Sequence, residues 1–349
     1  MNSPVEILLT PFSALYSALA RARARAYRRG LFTAQTIPAP VFSIGNLTTG
    51  GTGKTPLVAW VARMLAEEKR RVCVLTRGYG RANPRARVLV SDGNEILADA
   101  QNSGDEPRWL AETLLGQAAV LADRNRFAAA QWAMAKLASD CFVLDDGFQH
   151  LRLARACDLV TIDATNPWGG GYLLPRGRLR EPLTALRRAS ACVITRADQT
   201  ENLPELVSQV TELSGGRPVF TALTKVSGAR PLAPDSPEKL SLATPLLAFC
   251  ALGNPMAFFR QVTAAGYTLC ARQSFRDHHL YQPQDLTELT KKAQAVGAKA
   301  LLTTAKDAVK LRHLVGDAPI YVLDIELVIN RESDLRDLLR SVLATQGRA

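Results

Sequence analysis

The stretch Ser43-Ile44-Gly45-Asn46-Leu47-Thr48-Thr49-Gly50-Gly51-Thr52-Gly53-Lys54-Thr55 has the residue types of a phosphate cradle. Glycines let successive backbone N–H groups turn towards one anion. A helix starting at the end of the stretch adds a partial positive charge. Lys54 would then reach the outer phosphates of a nucleotide, and the Thr55 hydroxyl would ligate a magnesium ion on them. Thr48, Thr49, Gly50, Gly51, Thr52 and Gly53 would form the turn. Thr48 stands where the first glycine of a strict Walker A pattern is usual.

Five further motifs could do chemistry beside such a loop. Asp145-Asp146-Gly147-Phe148-Gln149-His150 follows the apolar run Cys141–Leu144. An acidic pair at the carboxyl end of a buried strand is where a P-loop sheet keeps carboxylates directed at Mg²⁺, though such a pair can also cap a turn. His150 reads either as a turn histidine or as a binding group. Asp105, in Asn102-Ser103-Gly104-Asp105-Glu106-Pro107, suits a helix N-cap or a base that accepts a proton from an attacking hydroxyl. Asp277-His278-His279 holds two of the four histidines beside an aspartate. Such a pair can tune a base, and adjacent histidines also occur in plain turns. Leu179-Arg180-Glu181-Pro182 and Thr303-Thr304-Ala305-Lys306-Asp307 are compact charged motifs that, alone, pass as helix starts. Arg77, Arg81, Arg176, Arg178 and Arg180 are either phosphate ligands or solvated.

Positioning these groups requires a sheet. Short apolar runs at Ala39–Gly45, Val72–Thr76, Ala118–Ala122, Cys141–Leu144, Leu159–Ile162 and Ala191–Thr195 alternate with helical stretches near Pro56–Glu68 and Arg126–Ala138. That alternation predicts an α/β fold, a parallel sheet with helices on both faces. Ser227–Pro245 is rich in Pro, Ser, Gly and charge and reads as a linker. After it the alternation resumes: a strand from Leu246, a helix near Met256–Ala265, a strand at Tyr267–Gln273, a helix near Gln284–Val296, and strands at Ala300–Thr303 and Ile320–Leu323. The expected organisation is an amino-terminal helix over 1–35, a P-loop core over 36–226, a hinge over 227–245 and a smaller α/β unit over 246–349.

The amino terminus has its own pattern. Leu8, Phe12, Leu15, Tyr16 and Leu19 recur at helical spacing. Arg21, Arg23, Arg25, Arg28 and Arg29 follow, with only Glu6 opposing them in the first forty residues. Val5–Ala20 is too short and too interrupted to span a bilayer. An interfacial membrane helix and a helix packed on its own protein with a solvated basic end both fit.

Over 349 residues, 47% hydrophobic and 21% charged, the chain can bury one large or two medium cores. This excludes a disordered polymer, a collagen and a small disulfide scaffold. The net charge of +11 favours an anionic partner. Aromatic residues are only 6% and no nucleic-acid motif is present, so nucleic acid is not the expected one. None of the six cysteines makes a CxxC pair, which points to buried reduced thiols.

Taken in order, Gly50–Thr55, Thr76-Arg77-Gly78-Tyr79-Gly80, Gly104–Pro107, Asp145–His150, Leu179–Pro182, Asp277–His279 and Thr303–Asp307 resemble the motifs of the tetraacyldisaccharide 4′-kinase family, the lipid A 4′-kinases of Gram-negative bacteria. The resemblance covers nearly the whole chain. It implies transfer of the γ-phosphate of ATP to the 4′-hydroxyl of a tetraacyldisaccharide 1-phosphate, giving lipid IVA. It implies a peripheral enzyme at the cytoplasmic face of the inner membrane, with that lipid and the membrane surface as partners. The P-loop residues Thr48–Thr55 would bind ATP. Thr55, Asp145, Asp146, Gln149 and Glu181 would serve Mg²⁺. Asp105 would be the base, supported by His278, with Lys54 on the phosphates. Arg77, Tyr79 and His150 would meet the substrate. At 175–178, Pro-Arg-Gly-Arg departs from the more neutral run of the family. The competing reading is a membrane-associated regulatory ATPase of the partition or septum-site type, which needs a lysine where this chain has Thr49.

Overall fold

The computed structural model describes residues 9–233, 239–312, 314 and 319–346. Glu6 and Leu8 of the amino-terminal pattern, and residues 234–238 of the expected linker, lie outside the described residues. The strands are β1 (Val41–Asn46), β2 (Val72–Thr76), β3 (Val88–Ser91), β4 (Ala118–Ala122), β5 (Cys141–Asp145), β6 (Cys157–Asp163), β7 (Ala191–Thr195), β8 (Val219–Pro231), β9 (Leu246–Cys250), β10 (Leu269–Ser274), β11 (Ala300–Thr304) and β12 (Ile320–Ile329). Among the described residues these form one twelve-stranded sheet in the order β10-β9-β11-β12-β8-β7-β6-β1-β5-β2-β4-β3.

β1 lies between β5 and β6, parallel to both. All six of its residues are buried, as a strand covered on both faces requires. Alternate residues serve opposite faces. Phe42 and Ile44 join the core under the helix Lys54–Glu67. Val41 joins the core under the helix Arg126–Leu137 with Phe142 and Leu144. The predicted α/β fold with helices on both faces is therefore the observed one.

The two halves of the sheet are each mainly parallel and meet at one antiparallel pair, β8 with β12. This corrects the reading of Ser227–Pro245 as irregular from its start. Residues up to Pro231 continue β8, with Gly228 opposite Asp324 and Pro231 opposite Tyr321. Glycine and proline are poor strand formers, but pairing with a long partner overrides local propensity. The register breaks between Asp324 and Ile325, next to Gly228, as it does where a glycine admits a bulge.

A second correction concerns the end of the chain. The helix Glu332–Gln346 returns to the first half of the sheet: Leu335 and Leu339 are fully buried in the same core as Phe42 and Leu57. Burying each leucine is worth roughly 1.5–3 kcal/mol. The Arg336–Glu67 ion pair on its rim, at 2.8 Å, adds about 0–1 kcal/mol. Apolar burial therefore docks this helix.

The helix Thr10–Arg28 presents Phe12, Leu15 and Leu19 outward, each about 60% exposed, and buries Ser13 and Ser17 instead. Ser13 Oγ donates to the Leu173 carbonyl at 2.8 Å. Phe12, Leu15 and Leu19 are thus not packed into the protein's own core, and Tyr16 is half-buried. Among the described residues, no helix is long and apolar enough to cross a membrane. Five of the cysteines are free and buried, as expected, and Cys270 is exposed.

Candidate active site

The glycine-rich loop leaves β1 at Asn46 and enters the helix Lys54–Glu67 through Gly53, which has φ +73°. Asn46 is buried and ties the loop together. Its Nδ2 donates to the Thr48 carbonyl at 2.6 Å and to Thr52 Oγ1 at 3.0 Å, and its Oδ1 accepts from Lys54 Nζ at 3.1 Å. A second strip of chain grips the loop from outside. Thr49 N–H donates to the Arg178 carbonyl at 2.7 Å, and Arg180 N–H to that of Leu47 at 2.6 Å. Thr55 follows Lys54 in the first turn of the helix, half-buried. Gly50 and Gly51 leave open space around the loop.

The acidic pair stands at the end of β5, beside the loop. Asp145 is buried and accepts the Thr76 hydroxyl at 2.9 Å. Asp146 accepts from Lys54 Nζ at 2.6 Å and from Arg180 Nη1 at 2.7 and 2.9 Å. The two carboxyls are pushed apart. Burial raises Asp145, with Glu106 and Asp146 adding to it against Lys54. Burial also works against the Asp146 carboxylate, but Lys54 and Arg180 outweigh it and hold that group well below the usual range. Asp146 sits at φ +53°, a conformation costly for a non-glycine residue and kept only where the surroundings impose it. The surroundings here are tight: a Cβ on Gly45 would lie 2.5 Å from that of Phe148, so β1 and the 145–150 segment touch backbone to side chain.

Gln149 and Glu181 meet at the same place. Gln149 Nε2 donates to the Asn46 carbonyl at 3.0 Å and to Glu181 Oε1 at 3.1 Å. Arg188 holds Glu181 at 2.7 Å. Among the described residues, no three His, Cys, Asp or Glu side chains form a metal cage. Magnesium does not require one: it is held by one or two carboxylates, with waters and phosphate oxygens completing six. Thr55, Asp145, Asp146, Gln149 and Glu181 supply hard oxygens of that kind.

Asp105 is the first residue of the helix Asp105–Thr113, and Gly104, at φ +94°, is the N-cap, so the capping reading of Asp105 is corrected. A Cβ at Gly104 would meet the Tyr79 carbonyl at 2.7 Å. The Asp105 side chain instead meets His278 Nδ1, at 3.1 Å from Oδ1 and 3.0 Å from Oδ2. The hydrogen bond to Asp105 raises the imidazole pKa, against burial and Lys306. Burial raises the Asp105 carboxyl, but His278, Lys306 and Lys310 together bring it below its ordinary value. His278 has φ +60°, and its ring lies 5.6 Å from that of the exposed Tyr79. Its neighbour does other work: His279 Nε2 pairs with Asp285 Oδ2 at 2.9 Å and its ring stacks on Phe275.

Arg77 is exposed at the end of β2. His150 is half-buried with Nε2 buried and unpartnered, and its pKa is pushed down to about 4 by burial, then by Arg126, Arg155, Arg152 and Arg23. Arg126, whose Nε is also buried without a partner, was not among the sequence candidates. Nor were Asn46, Arg188 and Lys310. Arg126 reads only as the first residue of an alanine-rich helix. Lys306 lies in a motif the sequence does mark, and Lys310 follows it by one helical turn.

A family model described as tetraacyldisaccharide-1-P 4′-kinase matches residues 5–344. The chain belongs to this family. The tetraacyldisaccharide 4′-kinase of Pelobacter propionicus is 38% identical over 340 residues, 96% of this chain and 92% of that one. The enzyme of that name from an Anaeromyxobacter strain is 42% identical over 313 residues, 87% and 83% of the two chains. The crystal structure of the family member LpxK from Aquifex aeolicus, in complex with ATP, superposes with a TM-score of 0.79 at 30% identity, covering 97% of this chain and 99% of that one. Family membership on this scale does not favour the regulatory-ATPase reading.

Proposed function

We propose that this chain is an ATP-dependent kinase that phosphorylates the 4′-hydroxyl of a tetraacyldisaccharide 1-phosphate, giving lipid IVA. The observation that carries the reading is the Asp105–His278 pair, joined to a P-loop in a chain whose family match runs almost end to end.

Phosphoryl transfer needs positioning and charge neutralisation more than covalent chemistry. Lys54 leaves Asp146 or shares it when the β- and γ-phosphates of ATP enter the loop Thr48–Thr55. Arg180 then retains Asp146. Thr55, with Asp145, Asp146, Gln149 and Glu181, would hold a magnesium ion, which would supply charge neutralisation on those phosphates. Asp105 accepts the proton of the sugar hydroxyl as its oxygen attacks in line, and His278 orients and stabilises the protonating carboxyl. Arg77, Tyr79 and His150 meet the sugar and its phosphate. The free Nε atoms of Arg126 and His150 suit an anion there.

The core over 36–226 carries the P-loop, the acidic pair and Asp105, and the unit starting at 246 brings His278. Their approach completes the site and keeps water from the γ-phosphate. The outward stripe Phe12, Leu15 and Leu19, with the arginines that follow it, supports the reading of a peripheral enzyme at the cytoplasmic face of the inner membrane. The acyl chains of the substrate can then stay in the bilayer.

The test is transfer from γ-labelled ATP to a tetraacyldisaccharide 1-phosphate in detergent micelles with Mg²⁺. A labelled bisphosphorylated lipid, lost in Lys54→Ala, is the expected result. Hydrolysis of ATP by folded protein with no labelled lipid would overturn the reading.

A further inference from the structure

Two lysines outside the P-loop converge on the carboxylate of Asp105. Both belong to the short helix Ala305–Leu311, in the second half of the sheet, and stand one turn apart on one face. Lys310 Nζ lies 3.8 Å from Asp105 Oδ2 and 3.0 Å from Asp307 Oδ1, with only 4% of its side chain exposed. Lys306 Nζ lies 3.9 Å from Asp105 Oδ2, 3.2 Å from Glu106 Oε1 and 3.8 Å from Asp277 Oδ1.

Each lysine is held from its far side. Asp307, fully buried, accepts the Ala251 N–H at 3.0 Å and the Thr304 hydroxyl at 2.8 Å through Oδ2, and so presents Oδ1 to Lys310. The Tyr281 ring closes over Lys310 at 5.3 Å. Glu106 and Asp277 flank Lys306. At 3.8–3.9 Å neither ammonium makes a direct hydrogen bond to Asp105. What reaches the carboxylate is their charge, in a pocket from which much of the solvent is excluded.

We propose that Lys306 and Lys310 are positioning residues that keep the Asp105–His278 pair oriented and unprotonated at the start of each turnover. The proposal rests on the reading of Asp105 as the base. The charged groups that face the pair are Lys306 and Lys310 from the second half of the sheet, Asp277, whose Oδ1 lies 3.9 Å from His278 Nε2, and Glu106 from the helix of Asp105 itself. Asp307 stands behind Lys310. Without the two ammonium charges, this balance is dominated by carboxylates, and the pair, which titrates as a unit, binds a proton more tightly. Burial alone has that effect on Asp105, and the lysines are among the groups that oppose it. Lys306 also opposes the rise that the Asp105 bond imposes on His278.

The experiment uses the full chain and three variants: Lys306→Gln, Lys306→Arg and Lys310→Met. NMR follows the titration of the His278 imidazole, and the pH profile of kcat/KM follows the reaction. In Lys306→Gln the imidazole titration and the acid limb of the profile should both move up by about one pH unit, as expected for loss of one charge near 4 Å. Transfer below that limb should fall about tenfold, with KM for ATP within about twofold. Lys306→Arg should restore all three, and Lys310→Met should shift the titration in the same direction. A Lys306→Gln protein of wild-type thermal stability, with titration and limb both unmoved, overturns the proposal; so does an Arg variant as impaired as the Gln one. If Lys310→Met does not fold, the Lys306 pair decides. Asp105→Asn separates the levels. If it is inactive while the limb of Lys306→Gln stays in place, the lysine proposal alone fails. If it keeps wild-type transfer, the base reading fails with it.

Discussion

His278 Nδ1 stands 3.0 Å from Asp105 Oδ2, although 173 residues of chain separate them. The aspartate opens a helix beside the P-loop half of the sheet, and the histidine comes from the loop after β10 in the other half. Neither residue owes its place to the other's sequence neighbourhood. Lys306–Glu106 and Arg312–Glu112, at 3.2 and 2.6 Å, fasten the same two regions, so the pair forms where the halves are already in register.

Asp105→Asn keeps the shape of the side chain and removes its capacity to take a proton. Turnover should fall by about 10²–10⁴ while the apparent KM for the lipid changes little. Steady-state transfer of label from ATP measures both. A kcat unchanged and a KM raised by the whole factor would assign Asp105 to binding instead.

Chelation with EDTA should abolish transfer, and excess Mg²⁺ should restore it. Glu181→Gln should raise the Mg²⁺ concentration needed for half-maximal rate about tenfold or more, since ligand-sphere changes typically cost 10–100-fold in affinity. Arg188 would lose its ion pair in the same variant, so Arg188→Met is the control. A larger Mg²⁺ requirement in the Arg188 variant than in the Glu181 variant would remove Glu181 from the ligand set.

The exposed stripe of the amino-terminal helix makes a prediction about lipid. Phe12→Glu, Leu15→Glu and Leu19→Glu combined should release the protein from anionic vesicles, with thermal stability near wild type because these side chains are largely exposed and belong to none of the buried cores. Sedimentation with vesicles at two salt concentrations reads this out, and salt alone should weaken wild-type binding through the arginines. Full sedimentation of the triple variant would mean that another surface is the main anchor.

The Asp105–His278 pair also predicts how stability depends on pH. The His278 pKa is raised by folding, so its contribution is complete below the unfolded value near 6.5 and is lost as pH rises through the folded one. The Asp105 pKa is lowered, so its contribution is complete above about 4 and is lost as pH falls through its folded value. The melting temperature of wild type should therefore exceed that of His278→Gln most between about pH 5 and 6.5, and the gap should narrow by pH 9. A gap independent of pH would show that packing, and not charge, accounts for the histidine's effect.

How much of this was legible in advance depends on how far each feature reaches along the chain. β1, the loop and the start of the next helix are contiguous, so glycine spacing and an apolar run suffice to read them. The same holds for Asp145–His150, where a buried strand runs straight into its carboxylates. The β8 strand past Val226 was hidden because its partner, β12, lies almost a hundred residues on and supplies the pairing that Gly228 and Pro231 disfavour locally. Arg126 was hidden because burial of a guanidinium leaves no mark in an alanine-rich sequence.

By itself the sequence determined the α/β class, the phosphate loop, the acidic pair and the family, because each is written in local residue types or in their order. Tertiary structure decided the rest. It brought His278, Lys306 and Lys310 to Asp105, sent the final helix back to the first core through Leu335 and Leu339, and turned the amino-terminal stripe outward on buried Ser13 and Ser17. Electrostatic and apolar contacts depend on distance in space. The pairing of β8 with β12 joins the two halves of the sheet and so brings His278, Lys306 and Lys310 within reach of Asp105.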